Sequence, residues 1–495
     1  MALFRKILIA NRGEIAVRVA RTCRAMGIPT AAVFSEVDRD ALHVREADEA
    51  VAIGPAEAAR SYLDVEAVVA AARRVGADAV HPGYGFLSQN AEFADAVTSA
   101  GIAFIGPPGP VHRAMGDKKA ARRLMAAAGV PVVPGYEGDD QQDATLLAEA
   151  ERIGWPVMIK PSRGGGGKGM RGVGRREDFA AALQASRREA RAAFGNDVVV
   201  LERFVARPRH VEVQVLADDH GAVIHLLERE CSIQRRHQKM VEETPSPGLA
   251  RDRRAALCAA AVAAARAVSY RNAGTVEVLL AQGGAFYVLE MNTRLQVEHP
   301  VTEAVTGLDI VRLQVEVAAG RPLPMTQAEV AGRGHALECR LYAEDPDNDD
   351  LPSPGRILHL AAPEGPGVRF DSGIAAGSEV TVHYDPLLAK LITWGRDRAE
   401  TIERMAAALR RTAVLGVVTN LARLQAIVAH PAFHTGELHT GFLDEHLREM
   451  TAPACPPPEA VAAAVAALHR PRPGPGARAV SVPDPWASLG PWRLG

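Results

Sequence analysis

Short apolar runs alternate with amphipathic segments of helical period through the first hundred residues. Residues 6–10 (Lys-Ile-Leu-Ile-Ala) read as a strand leading into a helix near 14–26, and 30–34 reads as another strand. Residues 62–75 predict a helix, and 77–81 and 102–106 two more strands. Strand–helix alternation through short connections indicates a parallel, doubly wound sheet. The loop Asn11-Arg-Gly-Glu14 after the first strand lacks GxGxxG, so a dinucleotide site is not expected there. A helix follows over 117–128. Residues 131–205 then read as a separate small unit: a strand at 156–160, a glycine-rich turn, a helix at 177–193 and a strand at 198–201. Residues 206–445 predict a larger α+β region, with strands at 212–216, 223–228, 274–280 and 286–290 and a long helix at 252–268. From about 450 the composition is that of a linker, with Pro456-Pro-Pro458, an Ala-rich stretch and Pro471-Arg-Pro-Gly-Pro-Gly476.

One segment departs from ordinary amphipathic patterning. Glu290, Asn292, Arg294, Gln296 and Glu298 occupy every second position, separated by Met291, Thr293, Leu295 and Val297. Period two places alternate residues on one face of an extended chain. The polar set, a carboxylate, two amides, a guanidinium and a second carboxylate, suits a divalent cation at one end and a small anion with a base at the other. A solvated strand edge carrying an ion pair fits the segment as well.

Composition narrows the class. At 495 residues the chain exceeds a single core, so roughly two to four domains are expected. Hydrophobic and charged fractions of 47% and 23% are those of a globular protein. The formal charge of −2 argues against nucleic-acid binding. No apolar run reaches the roughly 18 residues that span a bilayer. A strand beginning at residue 6 leaves no room for a secretory or transit segment. Five cysteines (23, 231, 258, 339, 455) form no CxxC pair, so reduced thiols in a cytoplasmic setting are expected.

Of the 57 Lys and Arg residues only seven are lysine: 6, 118, 119, 160, 168, 239 and 390. Lysine is a compact point charge suited to a phosphate oxygen, whereas arginine is a flat fork. Lys118, Lys160, Lys168 and Lys239 are therefore candidate anion contacts. Arg163-Gly-Gly-Gly-Gly-Lys-Gly169 is not a P-loop, because Ser162 and Gly169 stand where that motif needs Gly and Ser/Thr. Its glycines leave amides unshielded, and it reads either as a flap folding over phosphates or as a flexible surface loop. Glu277 and Glu290 lie on neighbouring strands joined by a turn, so a hairpin would bring them together with Asn292. Like charges facing across strands are otherwise unfavourable, and magnesium takes such oxygen ligands. Arg235-Arg-His-Gln-Lys239, with His210 and Glu212 upstream, supplies a basic cluster or a solvated basic face.

Taken in order, these segments resemble the biotin carboxylases, the ATP-grasp components of biotin-dependent carboxylases. The similarity runs from about residue 3 to 446. It is carried by Ile9-Ala-Asn-Arg-Gly-Glu-Ile-Ala16, His81-Pro-Gly-Tyr-Gly-Phe-Leu-Ser88, Gly116-Asp-Lys118, the glycine flap, Arg235-Arg-His-Gln-Lys239, the polar segment through Pro300, and Ala343-Glu-Asp-Pro346. The resemblance implies an N-terminal doubly wound domain (1–115), an ATP-grasp domain (116–320) with a small mobile lid (about 131–205), a C-terminal domain (333–446), and a linker with the start of a following segment (447–495). It implies that Lys118 and Lys160 bind ATP phosphates under a flap holding Gly166, Gly167 and Lys168. Glu202, Arg203, Phe204 and Val205 would line the adenine hinge, completed by His210, Gln234 and His237. Glu277, Glu290 and Asn292 match ligands of two magnesium (or manganese) ions. Lys239, Arg294, Gln296 and the Val297 backbone match a bicarbonate pocket. Glu298 matches a general base, and Arg340 the residue that stabilises the biotin enolate.

The implied activity is ATP-dependent carboxylation of biotin with bicarbonate through carboxyphosphate, the first half-reaction of an acetyl- or acyl-CoA carboxylase. Partners implied are a biotin carboxyl carrier protein or domain, a carboxyltransferase subunit and a second copy in a homodimer. A carbamoyl-phosphate-type ligase and a catalytically inactive assembly subunit are the alternatives. Pro161, Arg163, Gln89 and Asp350 depart from the family's usual residues. No Ala-Met-Lys-Met biotinylation motif is present, so biotin is expected on another polypeptide. A γ-phosphate must meet bicarbonate, yet eight extended residues would cover roughly 26 Å. The strand is therefore expected to end near Asn292, with 293–299 curling back as a hook.

Overall fold

The computed structural model describes residues 3–162, 169–450 and the single residue Ala462. Arg163, Gly166, Gly167 and Lys168 of the glycine flap lie outside the described residues, as does most of the expected linker.

Strands β1 (Ile7–Ile9), β2 (Thr30–Ser35), β3 (Glu49–Gly54), β4 (Ala79–His81) and β5 (Ala103–Phe104) form a five-stranded sheet in the order β3-β2-β1-β4-β5. Every pair is parallel. Alternate residues of β1 feed opposite cores: Ile7 and Ile9 pack with Ile15 and Val19, and Leu8 packs with Val68 and Val97. Both faces are therefore covered, which is why the strands read as unbroken apolar runs.

Three local expectations change. The helix expected at 62–75 begins at Val65, because Asp64 caps it by accepting from Ala67 N at 3.0 Å. Tyr62 instead turns inward and donates to Asp38 Oδ2 at 2.6 Å. The strand expected at 102–106 contracts to Ala103–Phe104. Strand β3 was not legible, since half of it is exposed at the sheet edge and only Val51 and Ile53 are apolar residues larger than alanine.

The small unit is a four-stranded antiparallel sheet: β6 (Gly135–Tyr136), β7 (Val157–Pro161), β8 (Arg171–Val173) and β9 (Val199–Arg203), ordered β6-β9-β7-β8. Helices Asp143–Ile153 and Arg176–Phe194 cover it through Leu146, Phe179 and Leu183.

An eight-stranded antiparallel sheet dominates the remainder. It contains β10 (Arg209–Ala217), β11 (Val223–Arg235), β12 (Gln238–Thr244), β13 (Asn272–Leu280), β14 (Phe286–Asn292) and β15 (His335–Tyr342), followed by strands Leu387–Gly395 and Val368–Ser372. The order is β14-β13-β10-β11-β12-β15, then those last two strands. Pairing of β12 with β15, Val241 opposite Cys339 and Glu242 opposite Glu338, carries the sheet past the break expected at 320–333. On one face Val211, Val213, Val276 and Val278 pack under helix Arg251–Ala267. The opposite face is polar and also buried, and the site lies there.

Candidate active site

Register puts the acidic residues in rows. Glu212, Glu277 and Glu290 are directly opposite one another across β10, β13 and β14, and Gln214, Thr275 and Asn292 form the next row. An extra residue, Leu289, lets Val288 join the apolar core while Glu290 faces Glu277. A second bulge works the same way in β12. Gln234 pairs with Lys239 and Ile233 with Val241, so Met240 is the extra residue. Lys239 and Glu242, three apart, consequently project from one face of a strand where regular alternation would oppose them.

Glu298 is the centre of the cluster and is wholly buried. Lys239 Nζ donates to its Oε1 at 2.7 Å, and Arg340 Nη2 to its Oε2 at 3.0 Å. Lys239 also reaches Glu212 Oε2 at 2.6 Å and Glu277 Oε1 at 2.9 Å. Arg340 Nε donates to Glu242 Oε1 at 2.6 Å. Burial opposes charge at Glu298, but Lys239 and Arg340 outweigh it and hold the carboxyl well below its usual range. Burial also works against the Lys239 ammonium, yet its three carboxylates keep its pKa well above the ordinary lysine value.

The polar segment follows the hook. Strand pairing stops at Asn292, and Glu298 immediately precedes the helix His299–Thr306 without a side-chain cap bond to it. Between them Arg294 Nη1 donates to Gln296 Oε1 at 2.8 Å, while Gln296 Nε2 and Asn292 Nδ2 donate to Glu277 Oε1 at 3.2 and 2.9 Å. The Val297 carbonyl accepts from Lys390 Nζ at 2.8 Å.

A cavity of about 530 Å³ adjoins this cluster. Lys118, Lys160, Glu202, Arg203, Phe204, Val205, His210, Gln234, His237, Glu277 and Glu290 line it. Glu202 forms an ion pair with Lys160 and accepts from Arg122 Nη1 at 2.7 Å. His210 Nε2 lies 3.1 Å from Glu277 Oε2, and its Nδ1 is 2.6 Å from Gln234 Nε2. Burial, with Lys160 nearby, lowers the His237 pKa. His439 and Asp444 complete the wall, and nothing in the sequence pattern marked them.

The basic cluster divides. Arg235 is tied to Glu344 at 2.7 Å and to Asp350 at 3.3 Å, and Arg236 to Asp349 at 2.6 Å. Arg236, with its guanidinium on Asp349, and His237 both line the cavity, and Lys239 joins the buried carboxylates. Sequence reading also passed over Arg229, which is fully buried and donates to Glu212 Oε1 at 2.6 Å and to Thr302 and Gln214. Lys390 was within reach of the lysine argument and was not singled out.

For divalent cations the donor set divides in the same way. Lys239, Arg229 and Arg340 together supply the cations for Glu212 and Glu298, so the grouping of Glu212, Cys231 and Glu298 has no need of an ion. Burial and the facing Glu277 push the Glu290 pKa up, the mark of a carboxylate short of positive charge. Glu290, Glu277 and Asn292 therefore fit a hard cation that shares its remaining positions with phosphate oxygens.

Family models match nearly the whole described chain: the N-terminal domain of biotin carboxylase over 3–111, the ATP binding domain of the carbamoyl-phosphate synthase L chain over 117–326, and the biotin carboxylase C-terminal domain over 338–445. A biotin carboxylase from Nostoc sp. is 53% identical over 89% of this chain and 99% of its own length. The mitochondrial methylcrotonoyl-CoA carboxylase subunit alpha of Dictyostelium discoideum is 47% identical over 99% of this chain and 70% of its own. The chain spans 61 to 70% of the length of the methylcrotonoyl-CoA carboxylase alpha subunits it matches. Among solved structures, the biotin carboxylase domain dimer of Hydrogenobacter thermophilus 2-oxoglutarate carboxylase, in complex with MgADP, ADP and bicarbonate, superposes with a TM-score of 0.88 at 42% identity, covering 91% of this chain and 99% of that one.

Proposed function

The chain belongs to the biotin carboxylase family, and on that footing we propose that it uses ATP and bicarbonate to carboxylate biotin held by a carrier protein or domain. The observation that carries the reading is Glu298, buried, with a different cation on each oxygen. Lys118 and Lys160 are assigned to the ATP phosphates, with the flap glycines Gly166 and Gly167 and Lys168. The 202–205 segment, His210, Gln234 and His237 are assigned to the nucleotide. Glu277, Glu290 and Asn292 would hold magnesium, which supplies neutralisation of phosphate charge.

Bicarbonate is a poor nucleophile, so the residues must position it and carry its proton. Arg294 donates to Gln296, and Gln296 and Lys239 both donate to Glu277 Oε1, which supports assigning the three to bicarbonate. Glu298 is ionised at neutral pH and takes the bicarbonate proton as the anion attacks the terminal phosphorus, giving carboxyphosphate and ADP. Carboxyphosphate then collapses to CO₂ and phosphate. Protonation removes the charge that holds Lys239 and Arg340 to Glu298. The released phosphate takes the ureido N–H proton of biotin, whose nitrogen attacks CO₂. Arg340, still held by Glu242, faces the ureido oxygen as negative charge develops there, in a buried setting where a fixed cation is most effective.

The domain bounds 1–115, 116–320 and 333–446, a homodimer, a carboxyltransferase partner and a cytoplasmic site belong to the same proposal. The dimer is supported by the Hydrogenobacter domain dimer. The cytoplasmic site is supported by the four cysteines among the described residues, all free and buried, and cell fractionation checks it against the mitochondrial location named for several relatives. Among the described residues no helix is long and apolar enough to cross a membrane.

Phosphate release is the direct test, measured with bicarbonate and with or without free biotin. Bicarbonate-dependent release stimulated by biotin is expected. Carbamoyl phosphate formed from ammonia, or no turnover at all, would overturn the reading.

A further inference from the structure

The three cations of the site are partnered differently. Lys239 is bound by three carboxylates and Arg340 by two. Arg294 meets only neutral oxygens among the described residues. Gln89 Oε1 accepts from its Nε at 2.9 Å, Gln296 Oε1 and Leu295 O accept from Nη1 at 2.8 and 3.1 Å, and Asn292 Oδ1 lies 3.4 Å from Nη2. Arg294 and Lys239 are both half-buried, whereas Arg340 is buried.

Gln89 is the only one of these partners outside the run 292–296, and it arrives from the N-terminal region. Its backbone is held on both sides. Leu87 is buried, and Asn90 caps the helix Ala91–Ser99 by accepting from Phe93 N at 2.7 Å. A glutamate here would have the same reach and would meet the same Nε, but as a carboxylate. It would take the arginine fork as a charge-assisted pair and repel an arriving anion. The amide oxygen supplies direction without countercharge.

We propose that Gln89 is a positioning residue that orients the Arg294 fork with a neutral oxygen, leaves its positive charge for a small oxyanion, and so sets the affinity for bicarbonate. This inference rests on the proposed carboxylation chemistry. It adds a residue from the N-terminal region to the determinants of anion binding, and it assigns a consequence to the amide at that position.

Gln89→Glu and Gln89→Ala in the full chain provide the test, with bicarbonate-dependent phosphate release followed against bicarbonate concentration at low and high salt. Gln89→Glu is expected to raise the bicarbonate KM roughly five- to tenfold, with kcat falling far less and the KM for ATP unmoved. The rise should shrink at high salt, because the site mouth is exposed to screening ions. Gln89→Ala loses orientation without gaining charge, so its KM should rise only about twofold and respond little to salt. Gln89 is exposed, and both variants should melt close to the parent protein. A bicarbonate KM for Gln89→Glu within twofold of the parent, or an alanine variant as impaired as the glutamate one, would overturn the inference while leaving the proposed function standing. A parent protein with no bicarbonate-dependent release would overturn the proposed function, and this inference with it.

Discussion

Lys239 holds three buried carboxylates together, and Arg340 secures two, one of them shared. Removing either cation leaves buried negative charge unpaired, a change that typically costs about 3–5 kcal/mol. Arg340→Ala separates the two half-steps: bicarbonate-dependent ATP hydrolysis should fall less than tenfold, and biotin carboxylation about 100-fold or more. Parallel assays of phosphate release and biotin carboxylation check this, and equal losses would refute the division of labour. Glu242 gives a pH signature. Burial, opposed by Arg340 and reinforced by Glu298, pushes its pKa up from 4.5 to about 7. Between those values the folded protein binds a proton that the unfolded chain has released, so Glu242 makes stability fall as pH rises across that window. Glu242→Gln keeps an acceptor for Arg340 and removes the titration. Its melting temperature should drop less between pH 5 and pH 8 than that of the parent protein, as read by thermal unfolding at both values.

At the level of elements, the site depends on pairing register more than on any loop. Two bulges, at Leu289 and Met240, decide which side chains face the polar side of the sheet. The facing pair Glu277 and Glu290 is unfavourable without a counter-ion, as like charges opposite one another are in any sheet. Glu290→Gln should therefore stabilise the metal-free protein by up to about 1 kcal/mol. The same substitution should abolish most of the gain in melting temperature that magnesium with ADP gives the parent protein. Thermal unfolding with and without MgADP measures both effects. A variant destabilised without metal, or still stabilised fully by it, would remove Glu290 from the metal site.

In the molecule as a whole, Lys390 ties distant regions to the hook. It is fully buried on the strand Leu387–Gly395, donates to Val297 O at 2.8 Å and lies 3.1 Å from Glu14 Oε1 in the N-terminal region. Tyr84 donates to the same Glu14 carboxylate. Lys390→Met preserves length and packing but strands the Glu14 charge and the Val297 carbonyl. A loss of about 3–5 kcal/mol on denaturant unfolding is expected, with bicarbonate KM raised because Val297 sits inside the anion hook. Unchanged stability would mean that Glu14 is neutral in the native protein.

Much of the site was legible from chemical type and spacing. Of the residues that the alternating segment from Glu290 to Glu298 and the scarcity of lysine pointed to, Glu290, Asn292, Glu298 and Lys239 meet on the polar side of the large sheet, and Lys118 and Lys160 line the adjoining cavity. A length argument, that an eight-residue strand is too long for one reaction centre, located the end of β14 at Asn292. Less was legible where a residue's meaning lay in its partner. Arg235 and Arg236 look like Lys239 in sequence, yet Glu344, Asp350 and Asp349 claim the two arginines. Arg229, Glu242 and Lys390 carry no local signal, because burying a charge is a property of the surroundings. The sequence by itself thus determined which chemistry is present and where many of the strands and helices through residue 290 fall, since periodicity and residue type are local. Only the tertiary structure decided which charges meet carboxylates and which, like Arg294 among the described residues, meet neutral oxygens. That outcome depends on bulges, on cross-strand register and on contacts between residues as far apart as Gln89 and Arg294.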